Sequence, residues 1–177
     1  TSMGFTPLDG VEMGTRCGAI DPAIVPYIMK KKDYTPDQMS SYMNKECGFL
    51  GVSGISSDSR DIEAAILKGD RRAWLAANIL AYQIKKYIGS YTAAMNGLDA
   101  IVFTAGMGEN NPELRERVCT DMEYFGIEID KEKNAKAHHQ SDIVELSTKN
   151  SKVKVFLIPT NEELMIASDT EDIVKAL

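Results

Sequence analysis

No apolar run in the sequence approaches the roughly 20 residues that a membrane-spanning helix requires. Cysteine is scarce: Cys17, Cys47 and Cys119 are odd in number and lack CxxC spacing. That pattern argues against a disulfide or zinc framework and for a reducing, cytoplasmic setting. Histidine is scarcer still, and the adjacent pair His138-His139 in a polar stretch is a poor basis for a metal site. Basic charge is in deficit, with 20 Lys and Arg against 26 Asp and Glu and a net charge of −6. Without a Lys/Arg stripe, nucleic acid and anionic membrane are not expected partners. A small anionic substrate stays compatible, because a few local arginines and backbone N–H groups outweigh a distant net charge. Repeats, low-complexity tracts and long linkers are lacking too.

The 177 residues, 44% apolar and 26% charged, have the composition of an ordinary globular protein. The length fits one domain, or one large domain with a small appendage. A chain of this size hides roughly 70% of its unfolded surface. The opening Thr1-Ser2-Met3-Gly4-Phe5 carries no lead-in element and reads as the continuation of something longer.

Residues 1–20 are glycine-rich, with Arg16 the first basic residue. Asp21-Pro22 and Thr35-Pro36-Asp37 are helix starts, a capping side chain followed by proline. The first predicted helix carries Ala23, Ile24, Tyr27 and Ile28 and ends in Lys30-Lys31-Lys32, and the second carries Met39, Tyr42 and Met43. Gly48 to Gly54 reads as a glycine-punctuated connector. A helix starting at Ser57 or Asp58 follows, ending at Gly69. From Asp70 to about Asn96, Ala73, Trp74, Ala77, Leu80, Ala81, Ile84, Tyr87, Ile88 and Tyr91 recur every three or four residues, which predicts a long core-facing helix closed by Gly97. Asp99 to Thr104 is a continuous apolar run, as in a strand buried on both faces. It passes through Gly106-Met107-Gly108-Glu109-Asn110 into a helix from Asn111 to about Tyr124. Residues 127–150 are polar, with an edge strand expected at Ile143–Leu146. A second strand–turn–helix unit closes the chain: Lys152–Ile158, the turn Pro159-Thr160-Asn161, and a helix from Glu162 to Ala176. The class is α/β with helices in the majority.

In open α/β sheets ligands bind beyond the carboxyl ends of the strands, where both junctions fall. Gly106 and Gly108 let a backbone approach a phosphate, although a tight strand-to-helix turn needs the same residues. Glu162 and Glu163 suit a magnesium–phosphate site, and equally the dipole of a helix start. Arg16 suits stabilisation of a transferring phosphoryl group, or an ordinary surface role. Asp58-Ser59-Arg60-Asp61 reads by default as a helix cap.

Four stretches join these signals: TSMGFTPLDG…MGTRCGAIDPAI (1–24), GFLGVSGISSDSRDI (48–62), VFTAGMGENNPELRERV (102–118) and IPTNEELMIA (158–167). Together they resemble the acetate kinase family, in the family's order and at about its spacing. The resemblance implies an α/β, ribonuclease-H-like fold of the actin-like ATPase superfamily, helix-rich with a mixed central sheet. Residues 1–177 correspond to the C-terminal, nucleotide-binding domain of a two-domain kinase. The implied reaction is reversible phosphoryl transfer between ATP and acetate, giving ADP and acetyl phosphate, with Mg2+ or Mn2+. Arg16 matches the catalytic arginine and Glu162 the metal-associated carboxylate. Asp58, Ser59 and Arg60 match the segment lining the adenosine site, and Gly106, Met107, Gly108, Glu109 and Asn110 match the glycine turn holding the nucleotide. Pro7 matches a residue of the pocket for the acetate methyl group. A homodimer formed through this half is also implied.

Two positions depart from the family pattern: Ser59 replaces a frequent aromatic, and Met107 replaces a branched aliphatic. The family's other catalytic residues, an asparagine, a second arginine, an aspartate and histidines, lie upstream of the region matched here. Because phosphoryl transfer depends on positioning and charge stabilisation across a cleft, the chain alone is expected to bind nucleotide without turnover. The competing readings are a non-catalytic nucleotide-binding or dimerisation module, and a kinase for propionate or butyrate.

Overall fold

In the computed structural model, which describes residues 1–176, the chain divides into two compact units, Thr1–Gly97 and Leu98–Leu177. The first unit is helical: α1 (Ile24–Lys32), α2 (Pro36–Lys45), α3 (Gly48–Ser53), α4 (Ser59–Leu67) and α5 (Arg71–Met95). The second carries β1 (Ala100–Phe103), α6 (Ala105–Asn110), α7 (Pro112–Cys119), a 3-10 turn at Glu123–Phe125, α8 (Lys131–Lys136), β2 (Val144–Glu145), β3 (Lys154–Leu157) and α9 (Glu162–Ala176).

The start signals at Thr35 and Asp70 act as the sequence indicates. Thr35 and Gln38 form a reciprocal capping box ahead of Pro36, satisfying two backbone donors that a helix start leaves free. Asp70 accepts from the N–H groups of Arg72 and Ala73 to open α5. At the other end of α5 the left-handed residue is Asn96, at φ 60°, one position before the expected Gly97. Asparagine tolerates that conformation, and the Gly97 N–H closes the motif on Thr92 O at 3.0 Å. Asp21 caps as an Asx turn onto the Ala23 N–H, so α1 starts at Ile24 rather than at Pro22.

Three expectations change. The stretch from Gly48 to Gly54 is not a connector: it forms α3, held from outside by N–H bonds from Phe49 to Met13 O and from Leu50 to Gly14 O, both 3.0 Å. Gly48 sits at φ 59°, and a Cβ there would lie 1.9 Å from Met13 O, so only glycine permits this approach. Trp74 is 55% exposed; α3 and α4 cover the α5 face that carries Ala73, Ala76, Ala77, Leu80 and Ala81. β1 is buried on one face only, through Ile101 and Phe103, while Val102 is 48% exposed. Alternate residues of a strand face opposite ways, and this chain supplies a cover for one of those faces.

The sheet has the order β1-β3-β2, with β1 parallel to β3 (Ile101 opposite Val155, Phe103 opposite Leu157) and β2 antiparallel to β3 (Val144 opposite Leu157). It is a small mixed sheet, and the expected edge strand narrows to Val144–Glu145. The helix expected from Asn111 to Tyr124 stops at Cys119. Every described residue of α9 is exposed, including Leu164, Ile166, Ile173 and Val174. No helix among the described residues is long and apolar enough to cross a membrane.

Candidate active site

Strand β1 ends at Phe103 and parallel β3 at Leu157, with the Ile158 N–H bonded to Phe103 O at 2.9 Å. Both carboxyl ends therefore release their following segments side by side. Between those segments lies a cavity of about 340 Å3 lined by Ala105, Gly106, Thr160, Asn161, Glu162 and Glu163. Residues of the two junctions chosen from the sequence thus line one cavity.

The residues expected to form a glycine turn build α6, and its two glycines do different things. A Cβ at Gly106 meets nothing within 4 Å, so this position leaves open space over the cavity. A Cβ at Gly108 would come within 3.2 Å of the Phe103 carbonyl carbon, so this glycine lets α6 pack on the end of β1. Ala105, the first residue of α6, is held at φ 58°, a left-handed conformation that costs a β-carbon residue about 1–2 kcal/mol. Backbone strain of this kind persists where surrounding structure enforces it, often at functional sites.

Glu109 closes the site from behind. Its Oε1 accepts from the Thr160 N–H at 2.8 Å and from Thr160 Oγ1 at 2.7 Å. These two bonds, the backbone one first, hold its carboxyl below the usual carboxylate range. Met107 is partly buried and Asn110 exposed. Asn161 caps α9 by accepting the Leu164 N–H. The carboxylates of Glu162 and Glu163 line the cavity with no hydrogen bond or ion pair among the described residues. Two unengaged carboxylates suit a hard divalent cation, which takes one or two protein carboxylates and fills its shell with phosphate and water. No cluster of three or more His, Cys, Asp or Glu suited to a metal is found among the described residues, and His138 and His139 are exposed.

Arg16 lies in the first unit, on a loop tied down by backbone bonds. The Met13 N–H donates to Arg16 O, the Cys17 N–H to Met43 O and the Cys47 N–H to Thr15 O, at 2.9–3.2 Å. Thr15 Oγ1 donates to Asn44 O at 2.8 Å. The Arg16 guanidinium makes no hydrogen bond or ion pair among the described residues. Gly14 brings this loop onto the Ser57 backbone, where a Cβ would lie 2.5 Å from Ser57 O. The Arg16 loop and the Asp58-Ser59-Arg60 segment are therefore neighbours. Asp58 is the N-cap of α4, accepting from the Arg60 N–H, and it pairs with the Arg60 guanidinium at 2.5 Å. That pairing, first through the side-chain hydrogen bond, lowers its pKa to about 2. Ser59 begins α4 and is partly exposed; Pro7 is exposed in a separate turn near the start of the chain. None of the three cysteines forms a disulfide among the described residues, and burial pushes the Cys47 thiol up to about 11.

Three residues here escaped the sequence reading. Glu12 is 3% exposed with an unpartnered Oε1, and its backbone N–H is held by Gln83 Oε1. Arg115 and Asn134 are buried and bonded to each other beneath α6. The readable signal for Arg115 was its helical spacing from Val118 and Cys119, which places it in a buried stripe.

The acetokinase family model matches residues 1–168. Acetate kinase from Moorella thermoacetica is 56% identical over 176 residues, covering 99% of this chain and 44% of that protein. The crystal structure of Porphyromonas gingivalis acetate kinase superposes with a TM-score of 0.90 at 47% identity, covering 98% of this chain and 43% of its own. A propionate kinase from Francisella tularensis follows with a TM-score of 0.85 at 40% identity, covering 94% and 41%. The chain thus spans under half the length of these relatives, and shares their helix-rich α/β, actin-like ATPase fold. With the family's motifs gathered at one cavity and on one strapped loop, the chain belongs to the acetokinase family.

Proposed function

We propose that this chain is the nucleotide-binding part of an acetate kinase, catalysing reversible transfer of the γ-phosphoryl group of ATP to acetate. The observation that carries this reading is the open space over Gly106, facing the unengaged Glu162 and Glu163 carboxylates across a cavity at the ends of two parallel strands. A phosphate tail enters where a side chain at position 106 would stand. Glu162, with Glu163 beside it, would hold Mg2+ or Mn2+ together with the phosphates. Such an ion, when bound, supplies neutralisation of phosphate charge.

In the forward direction an acetate oxygen attacks the γ-phosphorus, the new O–P bond forms, and the bond to the bridging oxygen of ADP breaks. Arg16, whose guanidinium is otherwise unengaged, stabilises the charge on the transferring group. Asp58 and Arg60 hold the adenosine-lining segment in place through their cap and ion pair, and Pro7 contributes to the acyl pocket. The partners are ATP or ADP and acetate or acetyl phosphate. The family's remaining catalytic groups lie outside the matched region, so the chain by itself binds nucleotide without turning it over.

Isothermal titration of ADP with Mg2+ into the chain, beside Gly106→Val, tests this. Saturable binding that the variant loses is expected. Failure of the parent to bind, with circular dichroism showing a folded sample, would instead favour a module without a nucleotide ligand. ATP-dependent acetyl phosphate formation by the chain alone would refute the inactivity.

A further inference from the structure

Helix α6 has six residues, far below the dozen or so at which an isolated helix becomes even marginally stable in water. Its shape, and with it the opening over Gly106, is imposed by its surroundings. One constraint is the packing of Gly108 on Phe103 and another is the Glu109–Thr160 pair. The third comes from a residue outside the motif. Arg115 on α7 is 0% exposed and has no carboxylate partner among its hydrogen bonds. Its Nη1 donates to Gly108 O at 2.7 Å and Glu109 O at 2.9 Å. Its Nε donates to Asn134 Oδ1 at 2.7 Å, and its Nη2 to Asn134 O at 3.2 Å and to Ala137 O. Asn134 in turn donates through Nδ2 to Pro112 O at 2.8 Å.

A buried guanidinium is costly unless its donors are met. Here Nη1 is met by two carbonyls at the end of α6, where a cation also complements the helix dipole, and Nε and Nη2 are met by Asn134 and Ala137. Burial draws the Arg115 pKa down, yet a guanidinium stays protonated. We infer that Arg115 is the positioning residue of the nucleotide site, clamping the Gly108 and Glu109 carbonyls so that α6 and, through Glu109, the Thr160–Glu162 wall keep the cavity open. The inference rests on the nucleotide reading above. Glu109 is the hinge of the relay: Arg115 holds its carbonyl, and its side chain holds Thr160. Lysine offers one nitrogen on a flexible stem and cannot reach all five acceptors.

The test is Arg115→Lys in the full 177-residue chain, read two ways. First, ADP with Mg2+ is titrated: affinity should fall at least about tenfold, since hydrogen bonds to a charged group are among the stronger ones. Second, amide hydrogen exchange is followed without nucleotide. The amides of α6 and the Thr160 N–H should exchange faster, while those anchoring the sheet, at Lys154 and Ile158, keep their protection. Should Arg115→Lys fail to fold, Asn134→Ala removes only the Nε acceptor and the Pro112 contact, and the same selective loosening is expected at smaller size. A folded variant with ADP affinity within twofold of the parent and unchanged α6 exchange overturns the clamp. A parent that binds no ADP sinks the nucleotide reading alone, and the exchange result then still decides whether Arg115 positions α6.

Discussion

Replacing Glu12 should make the first unit more stable at neutral pH, and the size of the gain follows from its surroundings. Glu12 is 3% exposed, its Oε1 has no partner, and burial raises its pKa to about 7, with a backbone hydrogen bond at Leu80 opposing. The raised value means that the fold binds the proton more tightly than the unfolded chain does. Its contribution is fully present below about pH 4.5, the ordinary value, and is lost as pH rises through about 7. Complete ionisation then costs the fold about 3 kcal/mol. Glu12→Gln removes the charge and should recover most of that at pH 8, while at pH 4 it should change stability by less than about 1 kcal/mol. Glu12→Met also removes the unpartnered oxygen and should gain at both values. Urea unfolding followed by the fluorescence of Trp74, the chain's single tryptophan, reads the first unit alone. A parent whose midpoint does not fall between pH 5 and 8, or a Glu12→Gln variant with the same pH slope as the parent, would refute the reasoning.

Gly48→Ala should unfold the strap that carries Arg16. It combines a left-handed φ with a Cβ 1.9 Å from Met13 O, and a loss of more than about 3 kcal/mol is expected, read from the urea midpoint. Glu109→Ala should free Thr160 and lower ADP affinity with little effect on thermal stability, while Thr160→Val, which keeps the backbone N–H bond, should show a smaller loss. Because the Glu109 carboxyl is held low by Thr160, that latch is present above the ordinary carboxylate range and is lost as pH falls through the lowered value. Hydrogen exchange at the Thr160 amide, followed from pH 6 downward and corrected for intrinsic rates, should show protection disappearing.

Helix starts and stops were legible wherever a short-range rule operates. The Thr35–Gln38 box, the Asp70 cap and the length of α5 depend on residues within four positions of one another, and the sequence displays them. The two strand ends and their glycine and acidic junctions were legible for the same reason, and the four motif stretches named the family. Distance in the chain is what hid the rest. α3 exists because Met13 and Gly14 reach across to it, and glycine-rich local sequence argues the opposite. Only the fold separates Gly106, with open space over it, from Gly108, packed on Phe103, since both look alike in AGMGEN. The bond from Thr160, far along the chain, to the Glu109 carboxylate has no local signal in the sequence. Arg115 and Glu12 did not stand out in the sequence because burial and the lack of a carboxylate or donor partner are properties of the packed state. The sequence by itself determined the family, through four motif stretches in the family's order, and the helix starts that obey short-range rules. Tertiary structure decided which of the motif residues line the cavity and which are tied up in packing or hydrogen bonds, because that depends on contacts between segments whose spacing obeys no local rule.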